Sequence, residues 1–384
     1  MESLIFWQPS PSMHQGAVIS AIASRWGGPV VVVAERPLAP ARLAQGWTQP
    51  DFSPADLIVA PTRSQRADLL TSEKTIHVFS GIRGSPENYR TLRTVANTGA
   101  MIGVMAEAGR TDQGIISLVR AVRYTMYAAR FRSRLSFILA AGAVGVRWYR
   151  RVGFPRARIF PFGYFVCDPK ETARDRSLDR CLHRPFRILF VGELIRRKGV
   201  DLLLNALTNP GLAECQLQIV GEELETCEYH ELAVKLGIGQ RVKWTDSLPN
   251  HEVRRTMKHS DLLVLPSRFD GWGAVTNEAL LAGIPVVASD AAGSADLIAA
   301  PWLGSVFRAG CVDSLAAAIH RHVSEGPPTT HLRMKIRSWA KNATGGDAAA
   351  EYFQAVIRHV RDGQPRPTAP WACPPERVGD IDSV

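Results

Sequence analysis

The chain has 384 residues, of which 46% are hydrophobic and 21% charged, and its formal net charge at pH 7 is +10. Such a composition is typical of globular proteins, and the length suffices for two α/β domains that each bury a core. No apolar run approaches the length of a membrane-spanning helix and the first residues lack a basic start, so we expect neither an anchor nor a signal peptide. The six cysteines form no C-x-x-C pair, which favours reduced thiols in the cytoplasm over a zinc site.

The positive charge is concentrated in the first part of the chain. Residues 1–165 contain 20 Lys and Arg against 9 Asp and Glu, whereas residues 166–384 contain 26 against 27. From Arg120 to Arg158 there are ten arginines and no acidic residue, interleaved with the aromatic residues Tyr124, Tyr127, Phe131, Phe137, Trp148, Tyr149 and Phe154. This combination suits an anionic bilayer surface or lipid phosphates, with nucleic acid and ordinary solvated helix faces as alternatives. We predict the anionic membrane surface, and no nucleic acid, as the partner.

Strands and helices alternate through this first part. The predicted strands are Leu4 to Trp7, Val30 to Ala34, Leu57 to Val59, Ile76 to Phe79, Met101 to Met105 and Arg158 to Phe162. A polar loop ending at Gly16 precedes a helix expected over Ala17 to Arg25, and a glycine before a helix start suits an anion. Glu107 follows the strand from Met101, where its carboxylate could take a proton from a substrate hydroxyl or cap the next helix. A single loop histidine, His14, is a weaker candidate for proton transfer.

A polar, proline-bounded segment from Cys167 to Pro185 predicts a linker between two domains. The second domain opens with a strand from Phe186 to Val191 that reaches Gly192. Arg197 and Lys198 then precede a predicted helix. Cations at a helix start oppose the helix dipole unless an anion is present, so these two side chains favour an anion at this place.

The most informative stretch runs from Asp261 to Ile298. It predicts a buried strand at Leu262 to Leu265, a loop, a helix that starts near Ala274, and a second strand at Ile284 to Ala288. Gly271 and Gly273 bracket Trp272, so backbone amides in this loop can approach an anion. Asp270 and Glu278 place a carboxylate at each end of the segment, where carboxylates suit sugar or ribose hydroxyls. Parallel sheets bind their ligands at the carboxyl ends of the strands.

Two motifs in the second domain resemble those of a known family. The pattern D-G-x-G-x4-E-A-L-x-A-G-x-P-V-V-A-S-D-x-x-G starts at Asp270 and resembles the donor signature of group 1 (family 4) retaining glycosyltransferases, which have the GT-B fold. The segment from Gly192 to Gly199 is similar to their G-x-L-x-x-x-K-G motif. The chain departs from the family at Asp270, where Glu is usual, at Glu193, where Arg is common, and at Glu107, near which many members carry histidine.

The resemblance implies an α/β protein with two Rossmann-like domains that face each other across a cleft. We expect an acceptor-binding domain over residues 1–165, with a helix at 347–362 that crosses back to it. A domain that binds the nucleotide sugar is expected over 166–346, followed by a flexible tail at 363–384. The tail contains Asp380-Ile381-Asp382, a D-x-D string that we interpret as chance because no strand precedes it.

The resemblance also assigns roles to residues of this chain. Glu278 is expected to hold the ribose, Asp270 the hydroxyls of the donor sugar, and Arg197 and Lys198 the departing diphosphate, with no obligatory metal or other cofactor. The predicted catalytic residues are Lys198, Arg197, Asp270 and Glu107, and the predicted donor-binding residues are Gly16, Gly192, Arg197, Lys198, Asp270, Gly271, Trp272, Gly273, Ala274 and Glu278.

The implied reaction is transfer of a sugar from a nucleotide-diphosphate sugar to an acceptor hydroxyl with retained anomeric configuration. We predict a saccharide acceptor, lipid-linked and presented at the cytoplasmic face of the membrane during surface or exopolysaccharide assembly. One alternative is a sugar-nucleotide epimerase of the same fold, which would need acid and base groups around the anomeric carbon and no acceptor. Another is a non-catalytic binding protein that retains the fold. The sequence leaves the base, the sugar and the linkage open.

Overall fold

The computed structural model describes residues 2–40, 48–70, 74–165, 184–223 and 228–372. The chain divides into two units, the first comprising Met1–Cys167 and Thr344–Ala369 and the second Asp168–Ala343 and Pro370–Val384. The division thus falls within three residues of the boundaries expected at 165 and 346. Most of the predicted linker and the Asp380-Ile381-Asp382 string lie outside the described residues.

The first unit is built on a parallel sheet of seven strands in its described residues. The strands are β1 (Ser3–Gln8), β2 (Val30–Ala34), β3 (Asp56–Val59), β4 (Thr75–Ser80), β5 (Met101–Ala106), β6 (Phe137–Ala141) and β7 (Ile159–Phe162), in the order β3-β2-β1-β4-β5-β6-β7. Helices α1 (Met13–Arg25), α2 (Arg63–Asp68), α3 (Pro86–Val95), α4 (Ile115–Phe131) and α5 (Gly142–Arg151) lie between the strands. Parallel strands need such crossovers, and most of these strands are apolar and buried because helices cover the sheet.

The second unit repeats this architecture with six described strands. They are β8 (Arg187–Val191), β9 (Gln216–Val220), β10 (Val242–Thr245), β11 (Leu262–Leu265), β12 (Val286–Ser289) and β13 (Gly304–Phe307), in the order β10-β9-β8-β11-β12-β13. The helices are α6 (Val200–Ala206), α7 (Glu228–Lys235), α8 (Asn250–Lys258), α9 (Val275–Leu281), α10 (Val312–Glu325) and α11 (Thr330–Thr344). Both sheets reverse their strand order once, as in the Rossmann fold, and the predicted pair of Rossmann-like units is confirmed.

A buried carboxylate fixes the start of β11. Asp261 is fully buried and accepts two hydrogen bonds from Arg184, at 2.6 and 2.7 Å, and one from the backbone N–H of Arg187 at 2.9 Å. Arg333 on α11 adds a contact at 3.3 Å. Because both oxygens of Asp261 are paired, its burial is compensated, and the network ties α11 to the sheet edge opposite the strand ends that bind ligands.

The last long helix, α12 (Gly346–Asp362), belongs to the first unit as predicted. Its residue Phe353 packs against Phe6, Trp26 and Phe137 with ring centroids 6.1 to 6.3 Å apart. Arg25 of α1 pairs with two carboxylates of α12, those of Asp347 at 2.8 Å and Glu351 at 2.7 Å. An apolar face and a charged edge therefore attach this helix to α1.

The tail expected from residue 363 is packed over its described part. Arg366 donates to the carbonyl oxygens of Ala157, at 3.0 Å, and Ile159. Ala369 and Trp371 are buried. The prediction of a loose tail is therefore wrong for residues 363–372, because apolar side chains within a Pro-rich segment found partners that composition does not reveal. Residues 373–384 lie outside the described part.

Candidate functional site

The residues predicted to bind the donor meet at one edge of the second sheet. Strands β8 and β11 pair in parallel, and the chain order of the sheet reverses between them. Such a reversal leaves a crevice at the carboxyl ends of the strands, which is where open α/β sheets bind ligands. Gly192 follows β8, and the loop that starts at Pro266 follows β11, so both sequence motifs reach this crevice.

An ion pair lies at the centre of the site. Nζ of Lys198 is 2.7 Å from Oδ2 of Asp270, and the two side chains are only 17% and 11% exposed. The guanidinium of Arg197 is a second cation, 3.8 Å from the same oxygen. Buried Ser267 donates to it at 3.4 Å, a contact that the sequence did not indicate because a serine after a strand is common. Three residues predicted to be catalytic are therefore neighbours.

A close backbone approach brings the two motifs together. Gly199 has φ +73°, and a Cβ atom there would lie 2.1 Å from the carbonyl oxygen of Pro266, so a side chain at this position is excluded. Arg268 donates to both carboxylate oxygens of Asp201, at 2.7 and 2.6 Å, and to the carbonyl of Arg196 at 2.9 Å. These contacts fix the backbone from which Lys198 extends.

The loop between Asp270 and α9 presents backbone donors. Among the described residues, the amides of Gly271, Gly273 and Ala274 make no hydrogen bond. Gly273 has φ +94°, and an added Cβ atom would meet the Leu265 side chain at 2.6 Å. The loop therefore keeps its shape only with glycine here, and consecutive unpaired amides are suited to an oxyanion.

The side chain of Trp272 is not available to a ligand. It is fully buried, its indole N–H donates to Oδ1 of Asn277 at 2.8 Å, and its ring lies 5.9 Å from that of Trp371. The role predicted for Trp272 is that of the loop amides and stays a prediction, while its side chain supports the loop from behind. The sequence feature that could have predicted the burial of Trp272 is its large apolar ring between two glycines.

Glu278 lies in the first turn of α9 and is half-buried. Its carboxylate accepts a hydrogen bond from Nδ2 of Asn250 at 3.3 Å. Burial raises the pKa of Glu278, while nearby Arg254 and the Asn250 bond act in the opposite direction. A hydroxyl donor would stabilise the charged form further. The sequence did not single out Asn250, since a polar residue at a helix start is usually a cap.

Two predicted glycines use their amides inside the fold. Helix α1 begins at Met13, four residues earlier than expected, so Gly16 lies within it and donates to the carbonyl of Ser12 at 3.1 Å. The expectation that Gly16 precedes the helix is wrong, and its amide is not free for an anion. Gly192 donates to the carbonyl of Val220 at 3.0 Å, so it supplies room rather than a hydrogen bond.

Glu107 of the first unit lies beside an aromatic pair. Its carboxylate accepts a hydrogen bond from the hydroxyl of Tyr164, whose ring stacks on His14 at 5.0 Å with an interplanar angle of 4°. Helix α4 is preceded by Gly114, so Glu107 does not cap it. The carboxylate instead lines a cavity of about 470 Å³, within the usual size of small-molecule sites.

This cavity occupies the place in the first sheet that the donor site has in the second. It lies at the carboxyl ends of β4, β5 and β7 and is also lined by Gln15 of α1, near the strand reversal between β1 and β4. Gln15 links the two strands at the reversal, as it accepts hydrogen bonds from Gln8 at 2.7 Å and Ser80 at 3.1 Å. Arginines from the loop after β4, the loop after β5 and helix α4 also line the cavity: Arg83, Arg110, Arg120 and Arg123.

The aromatic residues expected to face a membrane are mostly in the core. Six of the seven in the stretch from Arg120 to Arg158 are buried: Tyr127, Phe131, Phe137, Trp148, Tyr149 and Phe154. Some arginines of the stretch serve the fold, for example Arg158, which donates to the carbonyls of Arg132 and Leu135 at 2.8 and 2.7 Å. The aromatic part of the prediction is therefore wrong, because the large rings pack under α4 and α5.

A different apolar surface is exposed on α4. The side chains of Ile115, Ile116, Leu118, Val119, Val122 and Met126 are between 55% and 77% exposed. They follow helical spacing, so together they form one aliphatic face, which we call the α4 face. Exposed Arg123 lies on the same helix. No helix in the described part of the chain is long and apolar enough to cross a bilayer.

Comparison with known proteins agrees with the fold and the motifs. A crystal structure of the Anabaena protein HepE in complex with UDP superposes with a TM-score of 0.67 and 18% identity, covering 93% of this chain and 99% of that one. Together with the paired Rossmann-like units, this likeness defines the chain as a protein with the GT-B fold of glycosyltransferases. Residues 180–343, most of the second unit, match the family model described as glycosyl transferases group 1, the group that the two sequence motifs resemble.

Curated relatives match the same part of the molecule. A GDP-mannose-dependent alpha-(1-6)-phosphatidylinositol monomannoside mannosyltransferase of Mycolicibacterium smegmatis is 28% identical over 187 residues, which are 46% of this chain and 48% of the relative. A lipopolysaccharide 1,6-galactosyltransferase of Salmonella typhimurium is 32% identical over 148 residues, 37% of this chain and 40% of the relative. The chain thus matches about half or less of the length of these relatives.

Proposed function

We propose that the protein is a glycosyltransferase that moves a sugar from a nucleotide-diphosphate sugar to a saccharide acceptor with retained configuration. The observation that carries this proposal is the juxtaposition of Lys198, Arg197 and Asp270 beside the unpaired amides of Gly273 and Ala274. Cations and amides suit the departing diphosphate, and a carboxylate suits sugar hydroxyls. The names of the relatives, one a GDP-mannose-dependent enzyme and one a galactosyltransferase, support the same class of reaction.

The chemistry follows from where charge develops. When the bond between the anomeric carbon and the phosphate oxygen breaks, negative charge grows on the diphosphate. Lys198 and Arg197 stabilise this charge, and fixed donors of this kind typically contribute about 10²- to 10³-fold to turnover. Two side-chain cations can fill the role that a divalent metal has in other transferases, so we propose that no metal is required.

Asp270 and Glu278 divide the donor between them. Asp270 accepts from the sugar hydroxyls, and its pair with Lys198 holds the carboxylate in a fixed orientation. Glu278 accepts from the ribose hydroxyls. Half-burial of Glu278, together with Asn250 on one oxygen, limits the directions from which a hydroxyl can approach.

The acceptor binds to the first unit in this proposal. The acceptor oxygen forms the new bond to the anomeric carbon, and its proton passes to an oxygen of the leaving diphosphate. Glu107, oriented by Tyr164, orders the other acceptor hydroxyls in the cavity. Because the leaving diphosphate takes the acceptor proton, a separate general base is unnecessary.

We further propose that the enzyme works at an anionic membrane surface on a lipid-linked saccharide. Support comes from the α4 face, because an aliphatic helix face next to arginine is the arrangement of interfacial helices. The location is then the cytoplasmic face of the membrane, as expected for surface polysaccharide assembly. Co-sedimentation with vesicles tests this point: we expect recovery with phosphatidylglycerol vesicles, and equal recovery with neutral vesicles would contradict it.

The proposed activity is tested in two steps. A panel of UDP, GDP, ADP and their sugar conjugates is first screened for thermal stabilisation of the protein, since a ligand of the native state raises the melting temperature. The stabilising donor is then incubated with and without saccharide acceptors. Acceptor-dependent release of the nucleoside diphosphate supports a transferase, whereas conversion of the donor alone to another sugar nucleotide would identify an epimerase. Stabilisation without any turnover would favour a binding protein.

A further inference from the structure

The cavity of the first unit contains more positive charge than its surroundings balance. Arg83 comes from the loop after β4, and Arg120 and Arg123 from α4, whereas Arg110 is paired with Asp112 at 2.9 Å. The cavity wall also includes a single carboxylate, that of Glu107, which accepts a hydrogen bond from Tyr164. Three guanidinium groups from two elements therefore face one space.

None of the three arginines has a carboxylate partner among the described residues. Within the described ranges, Arg83 contacts the hydroxyl of Tyr127 at 3.5 Å. Arg120 donates to the carbonyl of Arg110 at 2.6 Å and to the amide oxygen of Gln113 at 2.9 Å, both neutral acceptors. Arg123 makes no hydrogen bond or ion pair in the described part of the chain. The three guanidinium groups therefore lack a counter-ion among the described residues.

Like charges gathered in a concave, partly apolar site attract an anion. The walls contributed by Val18, Met105, Leu139 and Phe162 lower the local dielectric and focus the field on the ligand. We propose that this cavity binds a phosphate group of the acceptor, so that the acceptor is a phosphorylated saccharide. This inference rests on the proposed glycosyltransferase function, which it deepens by naming the acceptor class.

The arrangement favours phosphate over a sugar carboxylate. One arginine satisfies a carboxylate through two parallel hydrogen bonds, whereas a phosphate offers three oxygens that donors from several directions can share. Here the donors approach from a loop and from a helix. Glu107 then lies in the same cavity to accept from neutral hydroxyls of the saccharide, so one cavity recognises both parts of the ligand.

Binding of matched soluble probes tests the inference without turnover. Glucose 6-phosphate, glucuronate and glucose differ only at C6, and calorimetry with the full chain compares them. We expect the phosphate to bind at least about 10-fold more tightly than the other two, the ratio that one charge-assisted hydrogen bond provides. Glucuronate binding as tight as the phosphate would overturn the assignment.

Variants identify the site of binding. Arg83→Gln and Arg123→Gln should each weaken glucose 6-phosphate binding about 10-fold. Arg93→Gln removes an exposed arginine of α3 outside the cavity and should leave it unchanged. Circular dichroism checks that the variants fold. Equal weakening by all three would show a general charge effect, and no weakening by the first two would place the phosphate elsewhere, so either result would refute the proposal.

Two further arms separate the related possibilities. Lys198→Ala disables the proposed diphosphate site of the second unit and should leave glucose 6-phosphate binding intact. If the wild-type protein bound glucose 6-phosphate but no nucleotide, the donor proposal alone would fail. Vesicles of phosphatidylcholine with phosphatidic acid distinguish a lipid phosphate from a soluble one. If the protein binds these vesicles more tightly than glucose 6-phosphate, and the double variant Leu118→Ser/Met126→Ser loses this difference, the phosphate belongs to a lipid. Equal affinity for the vesicles and for glucose 6-phosphate indicates a soluble phosphorylated saccharide. Failure of both phosphates to bind would overturn the inference.

Discussion

Replacing Lys198 by Met tests the centre of the donor site. The substitution retains the length and the apolar stem of the side chain and removes only the ammonium group, which lies 2.7 Å from Asp270. We expect turnover to fall about 10²- to 10³-fold, since a fixed donor to a developing anion is lost. Affinity for the nucleoside diphosphate should fall as well, because the same group contacts the diphosphate before the bond breaks.

The cost to stability should be smaller than the contact distance suggests. At 2.7 Å and an effective dielectric constant of 20, the Coulomb attraction of the pair is about 6 kcal/mol. Most of it is offset by the desolvation of both charges, and Asp270 retains Ser267 at 3.4 Å and Arg197 at 3.8 Å. We therefore expect Lys198→Met to lower the free energy of unfolding by about 2 kcal/mol.

Denaturant unfolding, calorimetry with the nucleoside diphosphate and acceptor-dependent release of that diphosphate measure the three effects. Lys235→Met, which removes an exposed lysine of α7, is the control and should change none of them. Asp270→Asn should abolish transfer while leaving nucleoside diphosphate affinity equal or higher, because it releases Lys198 from its charged partner. If Lys198→Met retained wild-type affinity and turnover, the assignment of the diphosphate to this ion pair would be refuted.

Three other substitutions follow from the structure. Glu278→Gln should weaken nucleotide binding about 10-fold by calorimetry, since a neutral amide accepts ribose hydroxyls less well, and an unchanged affinity for the nucleotide would argue that the ribose lies elsewhere. Gly273→Ala should lower the free energy of unfolding by about 2 to 4 kcal/mol, because the added Cβ atom would lie 2.6 Å from the Leu265 side chain. Gly310 also has a positive φ but has open space around it, so Gly310→Ala should lower the free energy of unfolding by only about 1 kcal/mol. Burial lowers the pKa of His77 to about 4 in the folded protein. Because the unfolded state binds a proton at this histidine already below pH 6.5, the free energy of unfolding should fall by about 3 kcal/mol as the pH drops from about 6.5 to about 4. In His77→Gln, which can still accept from Trp7, this pH dependence should disappear from denaturant titrations, and its persistence would implicate another group.

The site of the second unit was easier to predict than that of the first, because its residues lie in short sequence motifs. Glycines at the loops, a run of cations after a strand and carboxylates at a fixed spacing predict from the sequence that Lys198, Asp270 and Glu278 lie at one sheet edge. Each of these signals depends on backbone geometry within a few residues. Strand assignment was equally direct, since β11 is an uninterrupted apolar run that ends at a proline.

The parts that failed depend on contacts distant in the chain. Whether an aromatic residue of the arginine-rich stretch faces water or the core is decided by what packs over it, and Tyr149 is buried while Met126 on the neighbouring helix is exposed. Helical periodicity does not distinguish the buried Tyr149 from the exposed Met126, because both lie on amphipathic helices. The start of α1 was misplaced because Ser12, not the glycine after it, precedes the first turn. Asn250 was missed since its partner, Glu278, is 28 residues away.

The contact between Trp272 and Trp371 makes the segment after α12 part of the support of the proposed donor site. Residues beyond α12 return to the second unit, where the indole of Trp371 covers the inner side of the glycine loop. Removing Trp371 by a stop codon before position 371 would thus disturb the proposed donor site, although this residue lies about 100 positions after the glycine loop.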